Sequence, residues 1–210
     1  LPGNVMKIKS LVLTLCILML FGCSEQTASE GSKPGPNSTY RSIGVVAPRH
    51  YDVWVDKFFI ESLSEDIGWR RPFGIVSCCW KNPPLSRAKW QTTPEVFLIR
   101  WFSFAEQQSY EAVIKLENPG EIAEKMKEVA PFERYGEVVE RPRHTLVFGL
   151  APGGTVVIWI MNRGENAIEI GRYQARPYNN EKSDYSQWVD EYLEREGEYL
   201  RDNGIKLDGW

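Results

Sequence analysis

A short apolar run near the amino terminus, residues 11–21, most limits what this chain can fold into. A helix needs about 20 apolar residues to cross the hydrocarbon core of a bilayer, so this run is too short to span a membrane. It follows Lys7 and Lys9 and is followed by a small residue, which is the pattern of a secretory signal peptide. We therefore predict that residues 1–22 are removed, including residues 1–5, which fit no signal pattern.

The end of this run, Leu20-Phe21-Gly22-Cys23, resembles the lipobox of bacterial lipoproteins. The resemblance implies that the Cys23 thiol carries a diacylglycerol, that cleavage precedes Cys23 and that the new amino terminus is acylated. Ser24 resembles the pattern for transfer to the outer membrane. Stable anchoring takes more than one acyl chain, which this modification supplies. We expect an outer-membrane lipoprotein whose domain faces the periplasm; the alternative is a cleaved secretory peptide with a coincidental cysteine.

Composition divides the rest of the chain into a tether and a domain. Residues 23–39 comprise the lipidated cysteine and a polar stretch rich in Ser, Gly and Pro, which predicts a flexible tether. Residues 40–210 suit a single domain. A net charge of −3 lacks the basic excess typical of nucleic-acid binding. The aromatic content of 12% can supply a dense core, which argues against a disordered chain.

The two cysteines of the predicted domain, Cys78 and Cys79, are adjacent in the chain. The envelope is oxidising and permits a disulfide. Adjacent cysteines, however, close a small strained ring, and in a strand their side chains point to opposite faces. We therefore expect two thiols here rather than a bridge.

Hydrophobic periodicity predicts strands over most of the domain. Residues 51–55 alternate between core-facing and polar side chains, and residues 96–104 form the strongest candidate for a buried strand. Residues 110–116 alternate again and predict a hairpin with the preceding strand. Residues 146–174 predict a meander with a tight turn at its two glycines.

Two segments change to a helical period. Asn118 and Pro119 are typical of a helix start, Val129 falls on the apolar face of this helix, and Pro131 ends it. A second helix begins near Asp184. The sequence therefore predicts an α+β fold, mainly antiparallel sheet of about six to eight strands with two helices packed on it.

Motifs for known chemistry are absent from the sequence. His50 and His144 have no metal-ligand spacing, and there is no nucleophile elbow or phosphate-binding loop. Each histidine precedes or begins a predicted strand, which favours a hydrogen-bonded residue at a strand end. We expect no catalytic residues, no metal and no cofactor.

A glycine-rich turn and three glutamates could indicate a functional site, but a structural role is favoured for both. The turn at residues 151–154 is rich in glycine, but no helix follows it, so a hairpin is favoured over an anion-binding loop. Glu106, Glu111 and Glu169 could act as a glycosidase pair only if two of them converged in a cleft. Solvated carboxylates on strand faces are the favoured interpretation.

Trp69, Arg70 and Arg71, followed by Pro72 and Phe73, are the candidate interface residues. Trp and Arg are enriched in the hot spots of protein interfaces, and Arg can pair with a partner's carboxylate. The alternative is a rigid turn whose tryptophan covers the core.

Three segments, "RPFGIVSCCW", "FLIRWFSFAEQQSYEAVIKL" and "LVFGLAPGGTVVIWIMNRGENAIEIGRYQA", resemble a family of proteobacterial lipoproteins known only as a domain of unknown function. The resemblance covers most of residues 43–176 and carries no known catalytic residue. Some small envelope lipoproteins of this broad sort are encoded beside type VI secretion effectors, including phospholipases, and act as their immunity proteins.

These observations favour a binding protein over an enzyme. The resemblance implies an immunity protein that neutralises a type VI secretion effector of the lipase type, and we expect a membrane contact through Cys23 and no nucleic-acid partner. One alternative is a glycan- or peptidoglycan-binding lipoprotein that uses exposed tryptophans such as Trp54, Trp69 or Trp101. Another is an unrecognised envelope hydrolase.

Overall fold

The computed structural model of the protein describes residues 40–63, 66–71, 73–82, 86–89, 93–180 and 183–210. The predicted signal peptide, the predicted lipidation site Cys23 and the predicted tether lie outside these residues. Within them, no helix is long and apolar enough to cross a membrane.

The described residues fold mostly into strands, with two α-helices. The strands are β1 (Tyr40–Val46), β2 (Val53–Ser62), β3 (Ile67–Arg70), β4 (Gly74–Val76), β5 (Ser86–Lys89), β6 (Val96–Ser103), β7 (Gln108–Lys115), β8 (Val129–Arg134), β9 (Glu137–Pro142), β10 (Thr145–Ala151), β11 (Thr155–Met161), β12 (Ile168–Gln174) and β13 (Arg176–Pro177). The helices are α1 (Pro119–Lys127) and α2 (Ser186–Asn203).

The strands form two main sheets and a separate hairpin. Sheet 1 has the order β12-β11-β10-β1-β5, and sheet 2 has the order β13-β7-β6-β2-β3, with β4 also paired to β2. Neighbouring strands are antiparallel except β1 and β10, which run parallel with Val45 opposite Phe148. Strands β8 and β9 pair only with each other among the described residues. At Ala175 the chain passes directly from β12 in sheet 1 to β13 in sheet 2.

The predicted fold class, α+β with mainly antiparallel sheet and two helices, is confirmed. Instead of the predicted sheet of about six to eight strands, the described residues form one sheet of five strands, one of six strands and a two-stranded hairpin. The additional strands are mostly short pieces, such as β3 with 4 residues and β13 with 2 residues. Elements of this length are too short to show a period in the sequence.

The main core lies between the two sheets. Phe148 of sheet 1 contacts Phe97 and Phe58 of sheet 2, with ring centroids 4.8 Å and 5.0 Å apart. Trp101 of β6 is fully buried in the same cluster. Each side chain of this size stabilises the fold by about 1.5–3 kcal/mol through burial.

Helix α2 packs on the outer face of sheet 2. Its Trp188 lies 5.4 Å from Trp54, and its Tyr192 stacks 5.5 Å from Phe104. The side chain of Asp184 accepts a hydrogen bond from the Ser186 backbone N–H at 2.9 Å, and the helix starts at Ser186, close to the predicted position.

Helix α1 begins at Pro119 as predicted, but it ends earlier than Pro131. Glu128 has extended backbone angles, and Val129 and Pro131 belong to strand β8. Val129 is 61% exposed, so its predicted place on the buried helix face is wrong. The pairing of β8 with β9 overrides the helical period at this point.

The prediction of two thiols at Cys78 and Cys79 is also wrong. The two residues are joined by a disulfide, and both are exposed. They lie in the loop after β4 rather than in a strand, so the opposite-face argument does not apply to them.

Candidate interaction surface

Only part of the outer face of sheet 2 is covered by helix α2. The remaining part, which we call the open face, carries side chains in three rows that run across the strands. The apolar row is Phe59, Leu98 and Val113; the charged row is Lys57, Arg100, Glu111 and Arg176; the outer row is Glu61, Val96 and Lys115.

A β-bulge in β2 determines which side chains reach the open face. The pairing of β2 with β6 shifts register between Val55 and Lys57. Before the shift, Trp54 and Asp56 point outward under α2; after it, Lys57 and Phe59 point outward. The extra residue of a bulge reverses the facing of everything that follows it in the strand. Strict alternation from Val53 would have placed Phe59 in the core.

The apolar row is exposed to solvent. Phe59 is 37% exposed and Val113 is 68% exposed, while Leu98 between them is half-buried. Phe59 lies opposite Leu98, and Leu98 lies opposite Val113, so the three side chains are direct cross-strand neighbours. They form a continuous apolar stripe on a sheet face that is usually polar.

The charged row is organised around a buried carboxylate. Glu111 is 5% exposed and accepts hydrogen bonds from Arg100 and Arg176. The bond from Arg176, together with that from Arg100, holds the pKa of Glu111 below its usual range. The guanidinium carbon of Arg100 also lies 4.4 Å from the ring centroid of Tyr178. Glu111 is therefore ionised at neutral pH and fixes both arginines in place.

Positive charge predominates around the apolar row. The side chains of the three rows, with Arg70 of the edge strand β3, include five cations and two carboxylates. The cations are Lys57, Arg70, Arg100, Lys115 and Arg176; the carboxylates are Glu61 and Glu111. The whole chain carries a net charge of −3, so this surface has the opposite sign to the protein. Such a patch attracts an acidic partner.

The three predicted interface residues have separate positions. Arg70 is exposed, lies opposite Phe59 and holds its guanidinium carbon 5.8 Å from the Phe59 ring centroid. Trp69 is half-buried against the core between the sheets, as in the alternative of a tryptophan that covers the core. Arg71 is half-buried, and its backbone N–H donates to the Phe58 carbonyl at 2.8 Å. Of the three, only Arg70 borders the open face.

The three tryptophans named in the sequence as candidates for sugar binding do not form an exposed platform. Trp101 is fully buried, Trp54 is covered by Trp188, and Trp69 packs on the core. A glycan site built on these three rings is therefore not present in the fold.

The carboxylates singled out in the sequence do not converge. Glu106 accepts hydrogen bonds from the Tyr110 hydroxyl at 2.8 Å and the Gly153 backbone N–H at 2.9 Å. Glu111 is held by its two arginines, and Glu169 pairs with Arg172 at 3.0 Å. The predicted hairpin turn at residues 151–154 is present, with Gly153 at φ 72° and Gly154 at φ 73°. Its backbone binds a carboxylate of the same chain.

His50, in the loop before β2, contacts two residues of α2. Its Nδ1 lies 2.6 Å from Glu196 Oε2, and its ring stacks 3.8 Å from Tyr199. Beside it, Asp52 accepts hydrogen bonds from Ser77 and Arg195, and burial raises the pKa of Asp52 despite these bonds. These contacts pair His50 and Asp52 with polar groups of the same chain. The residues that the structure describes contain no group of three or more His, Cys, Asp or Glu side chains that could hold a metal.

Comparisons with known proteins agree with the resemblance found in the sequence. No curated protein and no solved structure matches this chain significantly. The model of one family, described as "Protein of unknown function (DUF2931)", matches residues 25–208. This protein therefore belongs to the DUF2931 family.

Proposed function

We propose that this protein is an envelope lipoprotein that binds a protein partner through the open face. The observation that carries the proposal is the apolar row of Phe59, Leu98 and Val113, which is exposed and bordered by cations. Contiguous apolar surface with a polar rim is the usual composition of a protein interface. Arg70 adds an interface-prone side chain at the edge of the row.

The positive charge of the open face favours a partner with an acidic surface. A partner with an apolar centre and an acidic rim would bury the apolar row and pair with Lys57, Arg70 and Lys115. Arg100 and Arg176 are already paired with Glu111, so they offer less to a partner. Rim charges of this kind mainly accelerate association and suppress wrong partners.

The open face is smaller than a standard protein interface, so the proposed partner would extend beyond it. Five strands spaced about 4.8 Å apart and three rows of side chains give roughly 20 Å by 15 Å, or about 300 Å². A standard interface buries about 800 Å² on each partner. The partner would therefore also cover the edge strand β3 or part of α2.

A lipid anchor would make such a binding protein effective. Attachment through Cys23 would hold the domain at the membrane and raise its local concentration against a partner acting there. The finer form of the proposal is an immunity protein that neutralises a lipase-type effector of type VI secretion. It is supported by the lipobox-like segment and by the lipoprotein resemblance.

The experiment compares two matched variants of the full-length protein. Val113→Glu places a charge in the apolar row, and Val138→Glu places the same charge on strand β9 at a residue that is 75% exposed. A tag is placed in the β8–β9 turn after Tyr135, which is 91% exposed. Tagged proteins are isolated from their own cells, and co-purifying proteins are identified by mass spectrometry.

We expect one stoichiometric partner with an acidic surface, lost with Val113→Glu and with Arg70→Glu but retained with Val138→Glu. For the immunity proposal, deletion of the gene should sensitise cells to attack by sister cells, and Val138→Glu should restore protection where Val113→Glu does not. A partner retained equally by all variants would exclude the open face as its site. Deletion without any change in sensitivity would exclude the immunity role.

A further inference from the structure

A polar cleft lies where the β6–β7 turn, the segment after β13 and the start of α2 meet. Its volume is about 510 Å³, within the range of about 300–1,000 Å³ that is usual for small-molecule sites. Four carboxamides and two tyrosines dominate its lining: Gln107, Gln108, Asn179, Asn180, Tyr178 and Tyr185. No Asp, Glu, Lys, Arg or His is among the described residues of the lining.

The wall of the cleft is held in place by hydrogen bonds. The Tyr185 hydroxyl donates to Asp56, and the Asn180 amide donates to Asp56 Oδ2 at 3.1 Å. The Tyr185 ring stacks on Phe102 with centroids 4.1 Å apart. Burial, with the bond to Asp56, raises the pKa of Tyr185 to about 12, so its hydroxyl stays protonated. A wall fixed in this way is ready to receive a ligand without further ordering.

Gln107 at the rim has an unfavourable backbone conformation. Its φ is 50°, in the left-handed region that glycine occupies without cost, and its side chain is exposed in the β6–β7 turn. Non-glycine residues in this region cluster at functional sites.

We infer that the polar cleft binds a neutral saccharide. Carboxamides both donate and accept hydrogen bonds, which matches the hydroxyl and acetamido groups of sugars. The Asn180 NH₂ group donates to Asp56 and Tyr185, and the Gln108 NH₂ group donates to the Ser109 carbonyl, so these two residues offer mainly their side-chain oxygens to a ligand. Phosphorylated or strongly charged ligands would leave their charge unpaired in the described lining. No residue of the three rows is among the described residues that line the cleft, although Tyr178 of the lining contacts Arg100 of the charged row. The saccharide site therefore does not depend on the proposed protein partner.

The test is a titration of the full-length, isotope-labelled protein in a detergent without a sugar headgroup. The probes are triacetylchitotriose, which carries acetamido groups, and maltotriose, which carries only hydroxyls. Side-chain NH₂ signals are followed by NMR, and Gln107→Glu identifies the Gln107 signal by its loss. Asn118→Gly is the matched control, because Asn118 is an exposed carboxamide residue with φ 52° that lies outside the cleft.

We expect one probe to shift the Gln107, Gln108 and Asn180 signals saturably. Gln107→Gly and Gln107→Glu should weaken binding about 2- to 10-fold, the effect of one or two hydrogen bonds. Gln107→Gly should unfold no earlier than the wild type, which separates lost binding from lost folding. Asn118→Gly and Val113→Glu should bind like the wild type. Absence of saturable shifts with both probes, unchanged binding in both Gln107 variants, or equal loss in Val113→Glu would overturn the inference.

Discussion

Replacing each of two adjacent phenylalanines by alanine tests the register that creates the open face. Phe58 is fully buried, whereas Phe59 is 37% exposed. The two residues are chemically identical neighbours in β2, so the comparison isolates the side of the sheet on which each ring lies. Strict alternation along β2 would place Phe59 inside and Phe58 outside.

The magnitudes follow from the ring contacts. Phe58 has the rings of Phe73, Phe97 and Phe148 with centroids between 5.0 and 6.2 Å away. Phe58→Ala should therefore lower the free energy of unfolding by about 3–5 kcal/mol, as for other large core truncations. Phe59→Ala removes a half-exposed ring and some strand propensity, which costs about 1 kcal/mol or less.

Thermal unfolding of both variants, followed by circular dichroism, measures the difference. For a domain of this size, 1 kcal/mol shifts Tm by about 2–4 °C, so Phe58→Ala should lower Tm by about 6–20 °C and Phe59→Ala by only a few degrees. Phe59→Ala should nevertheless weaken partner binding. Equal losses of stability, or a larger loss for Phe59→Ala, would refute the bulge and with it the apolar row.

Two further predictions concern the charged row and the glycine turn. The pKa of Glu111 is lowered by its bond to Arg176, so its stabilising contribution is present above its unfolded pKa near 4.5 and is lost as pH falls through the lower folded value. Glu111→Gln should cost about 1.5–3 kcal/mol at pH 7 and flatten the acid limb of a pH series of urea unfolding curves; an unchanged acid limb would contradict the ion pairs. A Cβ on Gly153 would lie 2.4 Å from the Leu207 carbonyl oxygen, whereas one on Gly204 meets nothing within 4 Å, although both residues have positive φ. Gly153→Ala should therefore lower Tm clearly more than Gly204→Ala; equal shifts would contradict the contact of the turn with residue 207.

Local patterns in the sequence predict the parts of the fold that depend on local contacts. The buried strand β6, its hairpin with β7 and the start of α2 are found where the sequence predicts them, because periodicity and turn residues decide them. The parallel pairing of β1 with β10 joins residues about a hundred positions apart, and no local pattern specifies such a pair. This pairing places β1 in sheet 1, whereas the next strand, β2, lies in sheet 2. Local patterns therefore do not predict the division into two sheets either.

The candidate surfaces were harder to predict for a more specific reason. Arg70 stood out by composition, but Phe59, Leu98 and Val113 look like ordinary strand residues in the sequence. Their exposure depends on the bulge between Val55 and Lys57 and on where α2 stops covering sheet 2. In the sequence, adjacent phenylalanines followed by an isoleucine resemble a buried run, and only the register shows which ring faces solvent.

The same bulge connects the two proposed sites. It leaves Asp56 pointing outward, where Tyr185 and Asn180 bind it and form the wall of the polar cleft. One position later, Lys57 begins the charged row, and Phe59 begins the apolar row beyond it. Without the extra residue, either Asp56 or Phe59 would have to point into the core between the sheets. In the first arrangement the Asp56 carboxylate would be buried. In the second, Phe58 would turn from the core to solvent. Each would destabilise the fold. The bulge therefore satisfies the packing of α2 and the exposure of the apolar row together, which is why both surfaces lie side by side on one face of sheet 2.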